Sequence, residues 1–394
     1  MSDQPADSGI NRFFQHVGLF QFASCLAGVF VFALLLRQGV SPPVIFLSMA
    51  GVFCLRFSLR PLVLLLARAV GLRGAMVTGT VLSCLQYLAI GRVEGVDGWL
   101  VAWVVATAAG DVIYWTLFHV IFASVGQQAR LGRQTSLRQI ISSAASIAGP
   151  PLGGLLLTWF PPVIAFSVAA LLRVLSAIPL MGIPDPPFVR EAPPDAYRAG
   201  RHAAAVFMTD GWVCCSSGIA WGMIAYVGLG QRYDTLGAAI ATASLAGALA
   251  GVFLGRLVDF GRARQAVYLN VAAGVAINLI QAAAGYEPAR IVGGMLAAAL
   301  LGGLAAPSIM PAVYIAVQAA PCTLRAQIAA EGGWDCGAVL ATLCCAALTW
   351  LGAPLQAGIL LAIPALFVQS WLLVHLYGSG AKARPGGEAL APGD

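Results

Sequence analysis

Apolar residues form long unbroken runs along this chain, and short breaks of glycine, proline and charged residues separate them. A helix needs about 20 apolar residues to cross a bilayer, whereas a transmembrane strand alternates polar and apolar residues over about 10 positions. The runs therefore predict membrane-spanning helices. Twelve spans are expected, at residues 17–36, 43–67, 74–91, 98–124, 136–158, 162–183, 205–229, 236–258, 265–285, 290–318, 326–351 and 354–377.

The longest break lies near the middle of the chain. Residues 184–204 read PDPPFVREAPPDAYRAGRHAA, a segment rich in proline and mixed charge that is typical of a linker. We therefore predict an all-α polytopic membrane protein built from two six-helix bundles. The first bundle occupies residues 1–183, and the second occupies residues 205–394 with a short cytoplasmic tail.

Composition supports lipid as the solvent. Hydrophobic residues make up 59% of the 394 positions and charged residues only 10%, whereas a soluble domain carries roughly 25% charged residues. The nine cysteines form no CxxC pair and no cluster with histidine, so we expect neither a metal nor a disulfide. The chain has no HExxH, GxSxG or P-loop motif, so we expect no enzyme activity, no cofactor and no ATP-driven pump.

Basic residues set the expected orientation. With the N-terminus in the cytoplasm, fourteen Lys and Arg residues fall on the cytoplasmic side and four on the opposite side, which satisfies the positive-inside rule. The first apolar run lacks a basic region and a cleavage site before it, so it is expected to be a retained span. We predict a multi-pass inner-membrane protein with both termini cytoplasmic, and the net charge of +6 reflects topology and no nucleic-acid surface.

Three short stretches resemble the major facilitator superfamily. GRLVDFGRAR (255–264) is similar to that superfamily's loop signature, and the resemblance implies gating contacts for Asp259, Arg262 and Arg264. The equivalent earlier loop, LLARAVGLRG (65–74), carries Arg68 where the superfamily has an acid, which puts the usual acidic gating contact of that loop in doubt.

The third stretch, GPPLGG (149–154), is similar to the core of a motif associated with proton antiporters of the superfamily. Gly149 and Gly153 are spaced to allow close helix approach, and Pro150 removes a backbone donor and should bend the helix. A bent, tightly packed helix and a mark of antiport are both open interpretations. Pro307 and Pro311 are expected to break span ten in a similar way.

Charged residues inside the membrane are costly and are therefore candidates for function. Asp111, Trp115 and His119 repeat every four residues in span four, so they form one polar and aromatic stripe, with Tyr114 beside it. The resemblance implies that span four lines a central cavity. Arg56 lies at the same depth in span two, and its pairing with Asp111 would be either a static ion pair or a proton- or substrate-driven switch.

Arg60 follows Arg56 by one helical turn, and Glu331 and Asp335 lie in span eleven. The resemblance implies that spans two and eleven pack together between the halves, so Arg60 is expected to contact these acids and gate the cytoplasmic side. The alternative is that both acids are hydrated near the membrane surface. Asp210 and Trp212 open span seven and are expected to line the substrate and proton pathway.

These features favour a secondary transporter that moves a small organic solute by alternating access. Coupling to protons through Asp111 and His119 is expected, and GPPLGG favours export. Proton-linked uptake of an anionic metabolite, with Arg56 binding the anion, is the alternative within transport. A membrane scaffold that transports nothing is the alternative of another class. The expected partners are the solute, protons and the lipid bilayer, and a monomer is expected.

Overall fold

A computed structural model describes residues 4–125, 131–189, 191, 193–254, 263–305 and 309–380. Within these ranges the protein is helical, and no strand is present. The helices are α1 (Gln4–Ala27), α2 (Val31–Arg37), α3 (Pro42–Leu82), α4 (Cys84–Ile90), α5 (Gly98–Val125), α6 (Leu131–Trp159), α7 (Pro162–Leu180), α8 (Arg201–Gly228), α9 (Tyr233–Leu254), α10 (Ala263–Ala283), α11 (Pro288–Ala305), α12 (Ile309–Gln318), α13 (Thr323–Trp350), α14 (Gln356–Leu360) and α15 (Ala362–Gly380).

Ten helical runs of the described chain are long and apolar enough to cross a membrane, and Pro288–Gly302 is a shorter apolar helix. One run, Pro42–Ile90, comprises α3 and α4 and contains 49 residues. The expected start of the first span at residue 17 is too late, because α1 begins at Gln4 and carries buried aromatic residues from Phe13 onward.

α3 changes direction at Gly71, whose backbone has φ 79° and ψ 171° inside the helical run. Glycine is required there, because this φ is strained for other residues and a Cβ atom would overlap the Asp185 carboxylate. That carboxylate accepts a hydrogen bond from the Arg73 backbone N–H at 2.9 Å. An acid from the central linker thus contacts this bend of α3.

The linker is anchored to both halves of the chain. On the first half, Arg73 contacts the linker through its backbone N–H and Asp185, and its side chain donates to the carbonyl oxygens of Met181 and Ile183, directly before the linker, at 3.3 and 3.1 Å. Arg325, at the start of α13, is fully buried and donates to the carbonyl oxygen of Val189 at 2.9 Å. The linker is therefore packed against helix ends of both halves, and α8 begins at Arg201, slightly before the expected boundary.

The main contacts between the predicted halves, residues 1–183 and 205–394, are those of α3 with α13 and of α6 with α9. Small residues allow the second pair to approach closely, because a Cβ atom at Gly237 of α9 would collide with the Pro150 carbonyl oxygen of α6. Gly149 and Gly153 face the other side of α6, where Cβ atoms would collide with the α1 backbone near Leu26. The close helix approach expected at GPPLGG is therefore present on both sides of α6.

Candidate functional site

The contact between α3 and α13 contains a buried cluster of charged side chains, which we call the inter-half cluster: Arg56, Arg60, Glu331 and Asp335. Each helix supplies two residues one turn apart, so the two pairs face each other across the interface. Arg60 Nε donates to Asp335 Oδ2 at 2.8 Å, and Arg60 Nη2 also contacts this oxygen. Arg56 Nε lies 3.2 Å from Asp335 Oδ1. The predicted contact between Arg60 and the acids of span eleven is therefore formed, while its gating role stays a prediction.

Glu331 forms the second layer of the cluster. Its carboxylate lies 3.7 Å from Arg56 Nη2 and 3.8 Å from Arg60 Nη2. Glu331 Oε1 also accepts a hydrogen bond from Gln327 at 3.2 Å and lies 3.7 Å from His119 Nε2. The predicted histidine of α5 therefore reaches the inter-half cluster, where its protonation would add a positive charge beside Glu331.

The inter-half cluster is almost completely buried. The exposed fractions are 5% for Arg56, 3% for Arg60, 5% for Glu331 and 0% for Asp335. Two guanidinium groups face two carboxylates, so the formal charges cancel, which such burial requires. Removing one partner from a buried ion pair costs about 3–5 kcal/mol, because the other charge stays behind uncompensated. The interpretation of Glu331 and Asp335 as hydrated surface acids is therefore wrong for this conformation.

Trp334 links the inter-half cluster to α8. Its indole N–H donates to Asp210 Oδ2 at 3.1 Å, and the Arg56 guanidinium lies 5.2 Å from its ring centroid. The Phe53 ring packs edge-on against the same indole, at 5.3 Å between centroids. The sequence does not predict these two simultaneous contacts of Trp334, because they depend on how three helices pack.

Asp111 of α5 does not form the expected ion pair with Arg56. In the described part of the chain no basic group lies within 4.0 Å of its carboxylate, since Arg56 is held by the acids of α13. The side-chain amide of Gln86 donates to the Ser83 carbonyl oxygen at 2.9 Å. Arg56 is therefore engaged with acids of α13 and not with Asp111 of α5.

Tyr114 lies inside the N-terminal half, and this differs from its expected place in the substrate pathway. Its side chain is 1% exposed, its hydroxyl group lies 3.1 Å from His16 Nε2, and its ring stacks on Phe20 at 3.7 Å between centroids. His16 also contacts the Ser176 carbonyl oxygen at 2.8 Å through Nδ1. Sequence reasoning missed His16, because the first span was expected to begin after it.

Arg173 of α7 is buried near Tyr114 and is held by neutral groups. It donates to the hydroxyl oxygens of Ser24 and Tyr87 at 2.8 and 3.0 Å, and its guanidinium lies 3.4 Å from the Phe20 ring centroid. No carboxylate lies within 4.0 Å of it among the described residues. These contacts tie α7 to α1 and α4.

One face of α8 carries an exposed thiol and a position without close neighbours. The Cys214 side chain is exposed. Asp210 and Gly218 lie one turn on either side of Cys214, and a Cβ atom at Gly218 would meet nothing within 4 Å. Trp212, expected in the same pathway, points elsewhere: its indole N–H donates to the Leu361 carbonyl oxygen at 2.9 Å.

Several predicted residues have no described side chain. Asp259, Arg262 and Pro307 lie outside the described residues, as do the side chains of Arg264 and Pro311. Pro311 lies within α12, which begins at Ile309, after α11 has ended at Ala305. Gating by the loop after α9 and bending at these prolines stay predictions.

Comparison of the whole fold gives clear structural neighbours. The human organic anion transporter MFSD10 (TETRAN) superposes with a TM-score of 0.66 and 15% identity, covering 94% of this chain and 99% of that chain. A single-residue variant of the E. coli fucose:proton symporter FucP superposes with a TM-score of 0.63 and 13% identity, again covering 94% of this chain and 99% of that chain. No protein-family model matches the sequence, and the search of curated proteins gives no match.

Proposed function

Because the chain has the fold of major facilitator superfamily transporters, we propose that it is a secondary active transporter. It moves a small organic solute across the inner membrane by alternating access, in which two halves rock about a central site. A proton gradient drives the cycle, and export is the favoured direction. The transporter fold supports this assignment over an enzyme.

The proposed topology has twelve crossings. Pro42–Ile90 contains 49 residues, which would extend about 74 Å as one straight helix, more than twice the hydrocarbon thickness of about 30 Å. We therefore count this run as two crossings that meet at Gly71, and α11 with α12 as one. The halves are residues 1–183 and 205–394, joined by the linker 184–204, and the basic residues favour cytoplasmic termini in a monomeric inner-membrane protein.

The observation that carries the transport proposal is the inter-half cluster. A static interface gains little from buried ion pairs, since well-packed apolar residues at the same place are often at least as stable. A gate needs contacts that can separate without exposing an apolar surface. Each half also offers a neighbour for its own charges: Gln327 contacts Glu331, and Thr116 accepts a hydrogen bond from Arg60 at 3.3 Å.

Asp111 is the proposed proton carrier. With the halves joined, Arg56 is engaged by Asp335 and Glu331, and Asp111 can hold a proton. When α13 moves away, Arg56 loses both acids and attracts the ionised form of Asp111 within its own half. The proton then leaves Asp111, so separation of the halves is coupled to proton release. His119 supplies a second proton-binding group beside Glu331.

Proton-linked uptake of an anion is the second candidate. The buried guanidinium of Arg56 supports it, and one structural neighbour is described as an organic anion transporter. The two candidates differ in their dependence on Arg56. Its replacement by glutamine would abolish binding of the anion if Arg56 binds it. In the export candidate the same variant should still bind a neutral or cationic solute and should lose only the coupling to proton release.

Proteoliposomes with an imposed pH gradient test the proposed function. An internal pH-sensitive dye would report proton movement while a panel of small organic solutes is added, with Asp111→Asn as the test variant. Asp97→Asn is the matched control, because this substitution removes the same charge from a residue that lies in the loop before α5. We expect solute-dependent proton flux in the wild type and the control and its loss in Asp111→Asn. Equal flux in all three proteins would contradict the role of Asp111.

A further inference from the structure

The basic side chains of the inter-half cluster and of α7 are already engaged, whereas two interior acids, Asp111 and Asp210, have no basic group within 4.0 Å among the described residues. Arg56 and Arg60 are held by Asp335 and Glu331, and Arg173 is held by hydroxyl groups and an aromatic ring. Asp111 has no basic group within 4.0 Å in the part of the chain that the structure describes. In this conformation, a charged ligand could therefore pair with a carboxylate, whereas these guanidinium groups are already engaged.

The helix face around Asp111 has the other features of a cation site. Thr107 lies one turn before Asp111 on the same face, is 7% exposed, and its hydroxyl oxygen has no hydrogen-bond partner among the described residues. Trp115 lies one turn after Asp111 and is only half-buried. Tryptophan is the aromatic residue that binds organic cations best, through the negative face of its ring.

Asp210 also lacks a basic partner among the described residues, but it is less suited than Asp111 to bind a cation. Its carboxylate already accepts the Trp334 indole N–H at 3.1 Å. The aromatic ring one turn from Asp210 on its own helix, Phe207, is buried, whereas Trp115, one turn from Asp111, is only half-buried. The two carboxylates therefore have different neighbours.

From these contacts we infer that the transported solute is an organic cation, bound by the Asp111 carboxylate with Trp115 and Thr107 beside it. This inference rests on the proposed function and names the substrate class of the same site. Arg56 is then the internal competitor: when the halves separate, its guanidinium replaces the solute at Asp111. Proton and solute would share one carboxylate, which makes their binding mutually exclusive and favours exchange of one for the other.

Two probe ions of equal size and opposite charge test the inference. Tetraphenylphosphonium and tetraphenylborate differ mainly in the sign of their charge. Binding to the full-length protein in lipid nanodiscs would be measured by equilibrium dialysis, with binding to empty nanodiscs subtracted. We expect saturable binding of the phosphonium only. Binding of the borate alone, or of both ions equally, would overturn the inference.

Variants then locate the site. Asp111→Asn should weaken phosphonium binding at least about tenfold, because it removes the opposing charge. Asp111→Glu should retain binding, and Asp97→Asn should match the wild type. Equal phosphonium affinity of Asp111→Asn and wild type would overturn the inference. If Asp111→Asn does not fold, Asp111→Glu provides the test. This variant keeps the charge, so loss of its preference for the phosphonium over the borate would overturn the inference.

Failure of the proposed function has a different signature. Asp111-dependent phosphonium binding without any solute-driven proton flux in proteoliposomes would contradict transport while supporting the cation site. Proton flux driven by other solutes, without Asp111-dependent phosphonium binding, would support transport and overturn the substrate class.

Discussion

Trp334 of α13 donates its indole N–H to the Asp210 carboxylate of α8 over 3.1 Å. The ring of the same tryptophan also contacts Arg56, whose guanidinium lies 5.2 Å from the Trp334 ring centroid. One side chain therefore connects Asp210 of α8 with the ion pairs between the halves. A change of charge at Asp210 would therefore be felt next to the inter-half cluster.

Replacing Trp334 with phenylalanine would keep a ring beside Arg56 and remove the donor to Asp210. A hydrogen bond to a charged group contributes about 1.5–3 kcal/mol, so we expect solute-driven proton flux to fall about tenfold or more. Trp212→Phe is the matched control, since that indole N–H donates to the neutral Leu361 carbonyl oxygen instead. An equal loss in both variants would indicate a general packing effect and contradict the linking role of Trp334.

The ion pair of Arg60 and Asp335 is expected to respond to charge exchange. Arg60→Ala leaves Asp335 buried with a weaker counter-charge, which should cost about 3–5 kcal/mol and lower the thermal unfolding midpoint of the protein in detergent. The exchanged double variant Arg60→Asp/Asp335→Arg should recover part of this loss, because opposite charges face each other again.

The exposed pair of Arg290 and Glu287, 2.9 Å apart, provides the control for that experiment. Glu287→Gln should leave the unfolding midpoint nearly unchanged, because water and salt screen exposed ion pairs. A double exchange at Arg60 and Asp335 that is no more stable than either single variant would show that their geometry, and not their charge, holds the halves together.

The α6–α9 interface is expected to depend on Gly237. A Cβ atom there would collide with the Pro150 carbonyl oxygen, so Gly237→Ala should force the halves apart in this conformation and reduce transport. Gly251→Ala is the control on the same helix, where a Cβ atom would meet nothing within 4 Å. Cross-linking between cysteines introduced on α6 and α9 would report the separation. Unchanged cross-linking in Gly237→Ala would contradict this role.

The sequence predicted the helical class and much of the charged interface. Arg56 with Arg60 and Glu331 with Asp335 each repeat at helical spacing, so any packing of their helices that joins one pair joins both. The direction of neutral side chains was harder to predict. Tyr114 and Trp212 lie beside polar stripes in the sequence, yet they contact His16 and Leu361 respectively. Their contacts depend on the rotation of each helix against its neighbours, which an almost uniformly apolar sequence does not record.

The partner of Arg56 shows the same limit. Counting residues from the outer ends of spans two and four placed Arg56 and Asp111 at the same depth in the membrane, which made them candidates for an ion pair. Sequence depth does not reveal that α13 brings Asp335 closer, at 3.2 Å. Similarly, the sequence does not reveal that the kink of α3 at Gly71 is contacted by Asp185, which hydrogen-bonds Arg73 from more than one hundred residues away along the chain.

Asp97 caps the N-terminus of α5, the helix that carries Asp111. Its carboxylate accepts hydrogen bonds from the backbone N–H groups of Leu100 and Glu94, at 2.9 and 3.1 Å. Slight burial acts to raise the pKa of Asp97, but these backbone donors outweigh it and hold the pKa below its usual value. A depressed folded-state pKa stabilises the protein above the unfolded pKa of about 3.9, and this contribution is lost as the pH falls through the folded value.

Asp97→Ala should therefore destabilise the protein by about 0.5–2 kcal/mol near neutral pH, the usual range for loss of an N-cap. Asp97→Asn should retain most of this stability, because the amide oxygen can accept the Leu100 N–H. The difference in unfolding midpoint between wild type and Asp97→Ala should shrink as the pH is lowered below about 4, where the carboxyl group becomes protonated. A difference that does not depend on pH would mean that Asp97 stabilises α5 through packing and not through its charge.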